Sequence, residues 1–162
     1  MTVNPAVLTE LGKLRVRLPE LTGSVLATAD GMVVAHDAHG IEPDSLAALA
    51  AAHLALARRF AHAVRHGELR ESVVQGTDGY ITSYAAGAEA LLTVVTNQDA
   101  NLARVHLEAR RTVTQLRELL ALERPEIARP HIPAQATPAT PLARRTPMAT
   151  LPTSVRHPQA AG

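Results

Sequence analysis

No cysteine occurs in the 162 residues, which excludes disulfides, thiolate nucleophiles and thiolate metal sites together. Aromatic residues are nearly absent as well: Phe60, Tyr80 and Tyr84 are the whole set. Any core must therefore be aliphatic. Nor does a basic run alternate with stacking side chains, as binding to single-stranded nucleic acid requires. The formal charge of +1 likewise argues against a nucleic-acid partner. Lysine is reduced to Lys13 beside 15 arginines, a pattern that reads as genomic base composition and leaves a lysine-dependent mechanism one candidate. Leu14, not serine or threonine, follows Gly12-Lys13, and no glycine-rich loop precedes the pair, so the chain is not a P-loop nucleotide hydrolase. No serine lies in a G-x-S-x-G turn. The longest mainly apolar run is broken by His53, Arg58 and Arg59 and is too short and charged to span a bilayer. The N-terminus alternates polar and apolar residues and carries no signal-peptide core. With the missing cysteine, this fits a cytoplasmic protein that meets membranes only through partners.

What is present is one domain's worth of chain with a 46% apolar composition. Asn4-Pro5 starts a helix with a stripe of Leu8, Leu11, Leu14 and Leu18, ended by Pro19, with Arg15 and Arg17 in solvent. Strands are expected at 24–28 and 32–36, joined by Asp30-Gly31, a strong hairpin signal because a tight turn needs positive φ. A loop over 37–42 leads to the Ala/Leu-rich helix 44–66, with Pro43 at its start and Gly67 as its stop. On it Leu46, Leu49, Ala50, His53, Leu56, Ala57, Phe60 and Val64 recur at helical steps. Its alanines allow close approach, yet they bring less bulk than one buried helix usually adds to a core. That combination suggests a packing surface shared between chains.

A third strand, 69–75, has no uniformly apolar side, which suits an edge or an interface. The second tight turn, Asp78-Gly79, leads to a strand over 80–85. The most apolar strand, 90–96, is expected at the sheet centre. Asn97 or Asp99 caps a last helix to residue 124. The order α-β-β-α-β-β-β-α gives an α+β sandwich with one five-stranded antiparallel sheet, over residues 1–124. Eight of the eleven prolines fall from Pro125 onward, without apolar periodicity, so 125–162 reads as a disordered tail carrying Arg144 and Arg145.

The stretches GSVLATADGMVVAHDAHGIEPDSLAALAAAHLALARRF and ESVVQGTDGYITSYAAGAEALLTVVT, with the closing helix, resemble the Roadblock (dynein light chain) family. The likeness is greatest to its bacterial branch found beside small Ras-like GTPases, as encoded in actinobacterial GTPase operons. It covers residues 8–122. The resemblance implies a profilin-like sandwich that forms a homodimer, with strand 69–75 paired to its copy and helices 44–66 side by side across the two-fold. It also implies that the dimer docks a small GTPase, needs no cofactor and has no catalytic chemistry of its own. Relatives that stimulate GTP hydrolysis do so by reorganising the GTPase's own residues, without inserting an arginine.

The dimer-interface candidates are Leu49, His53, Leu56, Phe60, Glu71 and Val73. Arg58, Arg59, Arg65 and Arg70 are candidates for contact with acidic switch residues of a GTPase; a solvated basic face is the competing reading. His62 and His66, four apart, and the run His36-Asp37-Ala38-His39 have metal-like spacing but too few ligands, and solvated histidines are the simpler reading. The alternative function is a small-molecule sensor or a purely structural dimerisation module of the same fold.

Overall fold

The computed structural model describes residues 4–123, so the expected tail over 125–162, with Arg144 and Arg145, lies outside the described residues. Helix α1 (Pro5–Arg17) starts as read: Asn4 Oδ1 accepts from the Ala6 amide at 2.8 Å, and proline takes the first helical position. Its buried stripe differs by one residue. Val7, Leu11, Leu14 and Leu18 are buried, while Leu8 is exposed, because steps of four, three and four stay on one face and two successive steps of three drift off it.

Strands β1 (Leu21–Thr28), β2 (Val33–Ala38), β3 (Glu71–Gly76), β4 (Gly79–Ala85) and β5 (Ala90–Asn97) form one antiparallel sheet in the order β2-β1-β5-β4-β3. β5 is central, as its apolar sequence requires, and β3 is an edge. Helix α1 and helix α3 (Leu102–Glu123) cover one face; helix α2 (Pro43–Ala63) covers the other. The core on the α1/α3 side is built on Leu11, Leu14, Leu26, Tyr84, Leu92 and Leu116, and that on the α2 side on Val25, Ala47, Ala51, Leu54 and Leu91.

Two glycines are dictated by geometry. Gly31 has φ +89°, and its amide donates to the Thr28 carbonyl at 2.9 Å, the left-handed residue closing the β1–β2 turn. A Cβ there would stand 3.0 Å from Ala48 Cα, so the turn also seats α2. Gly79 is not a central turn residue as expected. Gly76 pairs with Gly79, which leaves Thr77-Asp78 as the loop, and Gly79 opens β4 against the Thr96 carbonyl.

The helix ends differ from the sequence reading. Asn101, not Asn97 or Asp99, caps α3, accepting from the Arg104 amide at 3.2 Å; Asn97 instead accepts from the Asp99 amide within the preceding turn. Helix α2 stops at Ala63, before Gly67. His66 donates its amide to Ala61 and Arg65 to His62, a Schellman closure whose left-handed position is filled by Arg65 at φ +57°. His66 therefore lies beyond the helix, and the four-residue helical spacing with His62 is lost.

Arg15 and Arg17 are not simply solvated. Arg15 Nε donates to Asp37 Oδ2 at 2.5 Å, tying α1 to β2, and Arg17 Nε stands 2.7 Å from Glu108 Oε2, tying α1 to α3. Asp37 lies in β2 rather than in a loop, and this pairing occupies it. No group of three or more histidine, aspartate or glutamate side chains is placed to hold a metal ion among the described residues. Among them, no helix is long and apolar enough to cross a membrane.

Candidate interaction surface

The buried face of α2 is made of small residues, Ala47, Ala50 and Ala51, with Leu54. This lets the helix lie close to the sheet and turns its bulky residues elsewhere. Leu49, Leu56 and Phe60 are 67%, 66% and 72% exposed, and Val64 continues the stripe at 48%. Of the large residues in the expected apolar stripe, Leu46 packs partly against the core and Leu49, Leu56, Phe60 and Val64 are left in solvent. Scattered apolar side chains are ordinary on a surface, whereas a continuous stripe is not.

Strand β3 borders the same region. Its outer backbone edge pairs with nothing among the described residues, a template for another strand. His53 Nε2 and Ser72 Oγ are hydrogen-bonded at 2.7 Å, which places Ser72 on the α2 side of the sheet. By alternation Val74 shares that side, with its cross-strand partner Ile81. Both are exposed. Neither was among the interface candidates, although the two-residue period from Ser72 was available to find Val74.

Glu71 and Val73 belong to the opposite side of β3. Arg110 on α3 grips Glu71 with two parallel hydrogen bonds, Nε to Oε2 at 2.8 Å and Nη2 to Oε1. His106 Nδ1 stands 3.7 Å from Glu71 Oε1 and 2.8 Å from the Tyr84 hydroxyl. The candidate set thus divides into Leu49, His53, Leu56 and Phe60 on one side and Glu71 and Val73 on the other. Only the β3 edge belongs to both. The Arg110 hydrogen bonds hold the Glu71 carboxyl below the ordinary value of 4.5, overcoming its partial desolvation. Burial pushes the Tyr84 phenol up to about 12, so it stays neutral near pH 7.

This grip fixes the edge strand to α3, and its sign with pH follows. A carboxyl lowered in the folded state contributes its full stabilisation above the unfolded value, near 4.5, and loses it as pH falls through the lower folded value. The difference in urea midpoint between wild type and Glu71→Gln is therefore widest near neutral pH and closes below pH 4.5.

The candidate arginines do not form one patch. Arg58 and Arg70 enter a cleft of about 940 Å³ with His62, Glu68, Leu69, Glu71, Tyr84, Gly87, Arg110, Val113 and Arg117 on its walls. Arg59 and Arg65 are exposed and lie outside it. Arg110 and Arg117, contributed by α3, were not singled out from the sequence.

Comparison with known proteins agrees with the sandwich. The Roadblock/LC7 domain model matches residues 8–96. An uncharacterized protein of Methanocaldococcus jannaschii is 27% identical over 114 residues, spanning 70% of this chain and 96% of its own. The crystal structure of a Roadblock/LC7 domain from Streptomyces avermitilis superposes with a TM-score of 0.65 at 28% identity, covering 70% of this chain and 96% of that one. The gliding protein MglB from Thermus thermophilus gives 0.64 at 25% identity, with 72% and 89% covered.

Proposed function

Because this chain belongs to the Roadblock/LC7 domain family, we propose that it is a homodimeric, non-catalytic regulator or scaffold of a small Ras-like GTPase, acting in the cytoplasm. The observation that carries the proposal is the exposed stripe of Leu49, Leu56 and Phe60 beside the unpaired edge of β3. A second copy related by a two-fold satisfies both at once. Its β3 pairs antiparallel with this one, and its α2 stripe covers this one. Two such edges meeting each other also leave neither β3 open to uncontrolled association.

In this reading the dimer presents the outer surfaces of its two α2 helices to the GTPase. Arg59 and Arg65 are free to meet acidic switch residues, where guanidinium pairs well with carboxylate. The regulator supplies no arginine to the reaction and acts by holding one nucleotide-dependent arrangement of the GTPase. Shifting such an equilibrium requires different affinities for the two states, so binding must depend on the nucleotide.

The test is a pull-down with the purified protein from lysate of its native host, loaded with a GTP analogue or with GDP. Recovery of a small GTPase in one state only supports the proposal, and hydrolysis rates then separate activator from effector. A folded dimer that recovers no GTPase in either state contradicts it.

A further inference from the structure

The cleft at the end of α2 reaches β3 only at Glu71, and its chemistry is unlike that of the apolar α2 stripe. The buried face of α2 runs through Ala47, Ala51 and Leu54. Continuing by eleven, seven and four residues, that face arrives at Arg58 where the helix overruns the sheet. An arginine therefore occupies a core-facing position and is half-buried. Arg70 enters the same cleft from the segment before β3, and Arg117 from α3. Arg117 lies beside Gly87, whose φ of +91° turns the β4–β5 connection.

Charge in the cleft is not balanced. Arg58, Arg70, Arg110 and Arg117 face it, against Glu68 and Glu71, with His62 beside them. Glu71 is already gripped by Arg110. Arg58 and Arg117 hold no hydrogen bond or ion pair among the described residues, and Arg70 contributes only its field to Glu71. Arg58 is half-buried while Arg70 and Arg117 are exposed, and a half-buried guanidinium without a counter-charge is unfavourable. Arginines that merely seek solvent would diverge, but here three from separate elements line one concavity. The remaining walls are apolar: Leu69, Tyr84, Ala85, Ala88 and Val113.

We propose that this cleft binds a small molecule carrying a phosphate group on an apolar or planar body. Guanidinium groups match phosphate through paired N–H donors, the apolar wall takes the body, and the volume suits a compact ligand.

The experiment is an amide-resolved NMR titration of the full chain with phenyl phosphate and, separately, inorganic phosphate, at ionic strength fixed with sodium chloride. Saturable shifts centred on Leu69, Arg70 and Gly87, with phenyl phosphate at least tenfold tighter than phosphate, support the proposal. Arg58→Gln with Arg117→Gln then weakens phenyl phosphate at least tenfold, while Arg59→Gln, outside the cleft, does not. Arg70→Gln, on an exposed residue, provides the same test should the double variant unfold. Shifts that do not saturate, or that survive the cleft substitutions, overturn the site. Equal affinity for both probes overturns the assignment of an organic body. Tighter binding of an aspartate-rich peptide would assign the cleft to protein docking and overturn the proposal.

Discussion

A Leu56→Glu, Phe60→Glu variant sediments as a monomer at concentrations where the wild-type chain is dimeric, its dissociation constant raised at least ~100-fold. Both side chains project from α2 into solvent in the single chain, at 66% and 72% exposure. In the proposed dimer they are covered. Losing the burial of one such side chain costs about 1.5–3 kcal/mol, and a carboxylate forced into the same contact adds desolvation. Two sites together exceed the ~2.7 kcal/mol that corresponds to a hundredfold change. The variant is informative because glutamate is a good helix former and neither residue contributes to the monomer core. Its circular dichroism is unchanged, and its melting temperature no longer rises with protein concentration as that of a dimer does. A variant that remains dimeric would remove the α2 stripe from the interface.

Gly79→Ala lowers stability by about 3 kcal/mol or more, at the upper end of what overpacking costs. The added Cβ would be driven into the Thr96 carbonyl oxygen and would stand 3.0 Å from Asn97 Cα. All the nearest atoms are backbone of the central strand, so no flexible side chain can yield. Nor is φ of +155° a conformation that alanine readily adopts. Gly76→Ala is the control: its Cβ would meet the Gly79 carbonyl oxygen at an ordinary 3.7 Å, and the substitution stays within about 1 kcal/mol. Urea denaturation of the two variants measures the contrast. Similar losses for both would mean that the β4–β5 approach at Gly79 does not constrain the sheet.

The same glycine shows what could and could not be read from the chain. Asp78-Gly79 correctly announced a hairpin, because the dipeptide signal is local. Gly79's own reason for being glycine is a contact with a strand seventeen residues away, which no local signal carries. Topology was legible for the same reason the hairpin was. Alternating strands, turn residues and two-residue periods identified five strands, placed β5 at the centre and made β3 an edge.

Helix faces were less legible where composition was uniform. In α2 a single stripe was read as a packing surface shared between chains, mixing the alanine Ala50 with the large residues Leu49, Leu56 and Phe60. The structure separates them: Ala47, Ala50, Ala51 and Leu54 are buried, since a close helix–sheet approach excludes bulk, while Leu49, Leu56 and Phe60 are exposed. The arginines show the converse limit. Arg15 and Arg17 read as solvated from their own helix, but their acids, Asp37 and Glu108, come from β2 and α3. The cleft around Arg58, Arg70 and Arg117 is likewise assembled from three separate segments and has no signature in any one of them.

The central claim is that the β3 edge joins two copies, and backbone amide exchange along Glu71–Gly76 tests it most directly. Exchange is measured on the wild-type chain across a dilution series that spans the dimer dissociation constant. In one chain alone, alternate β3 amides point away from β4 with no partner and exchange rapidly. Pairing with a second β3 protects those amides, so the account predicts slow alternate amides at high concentration that become fast on dilution, while β5 stays slow throughout. Rapid exchange of the same β3 amides at every concentration, in a sample that remains dimeric, would contradict it.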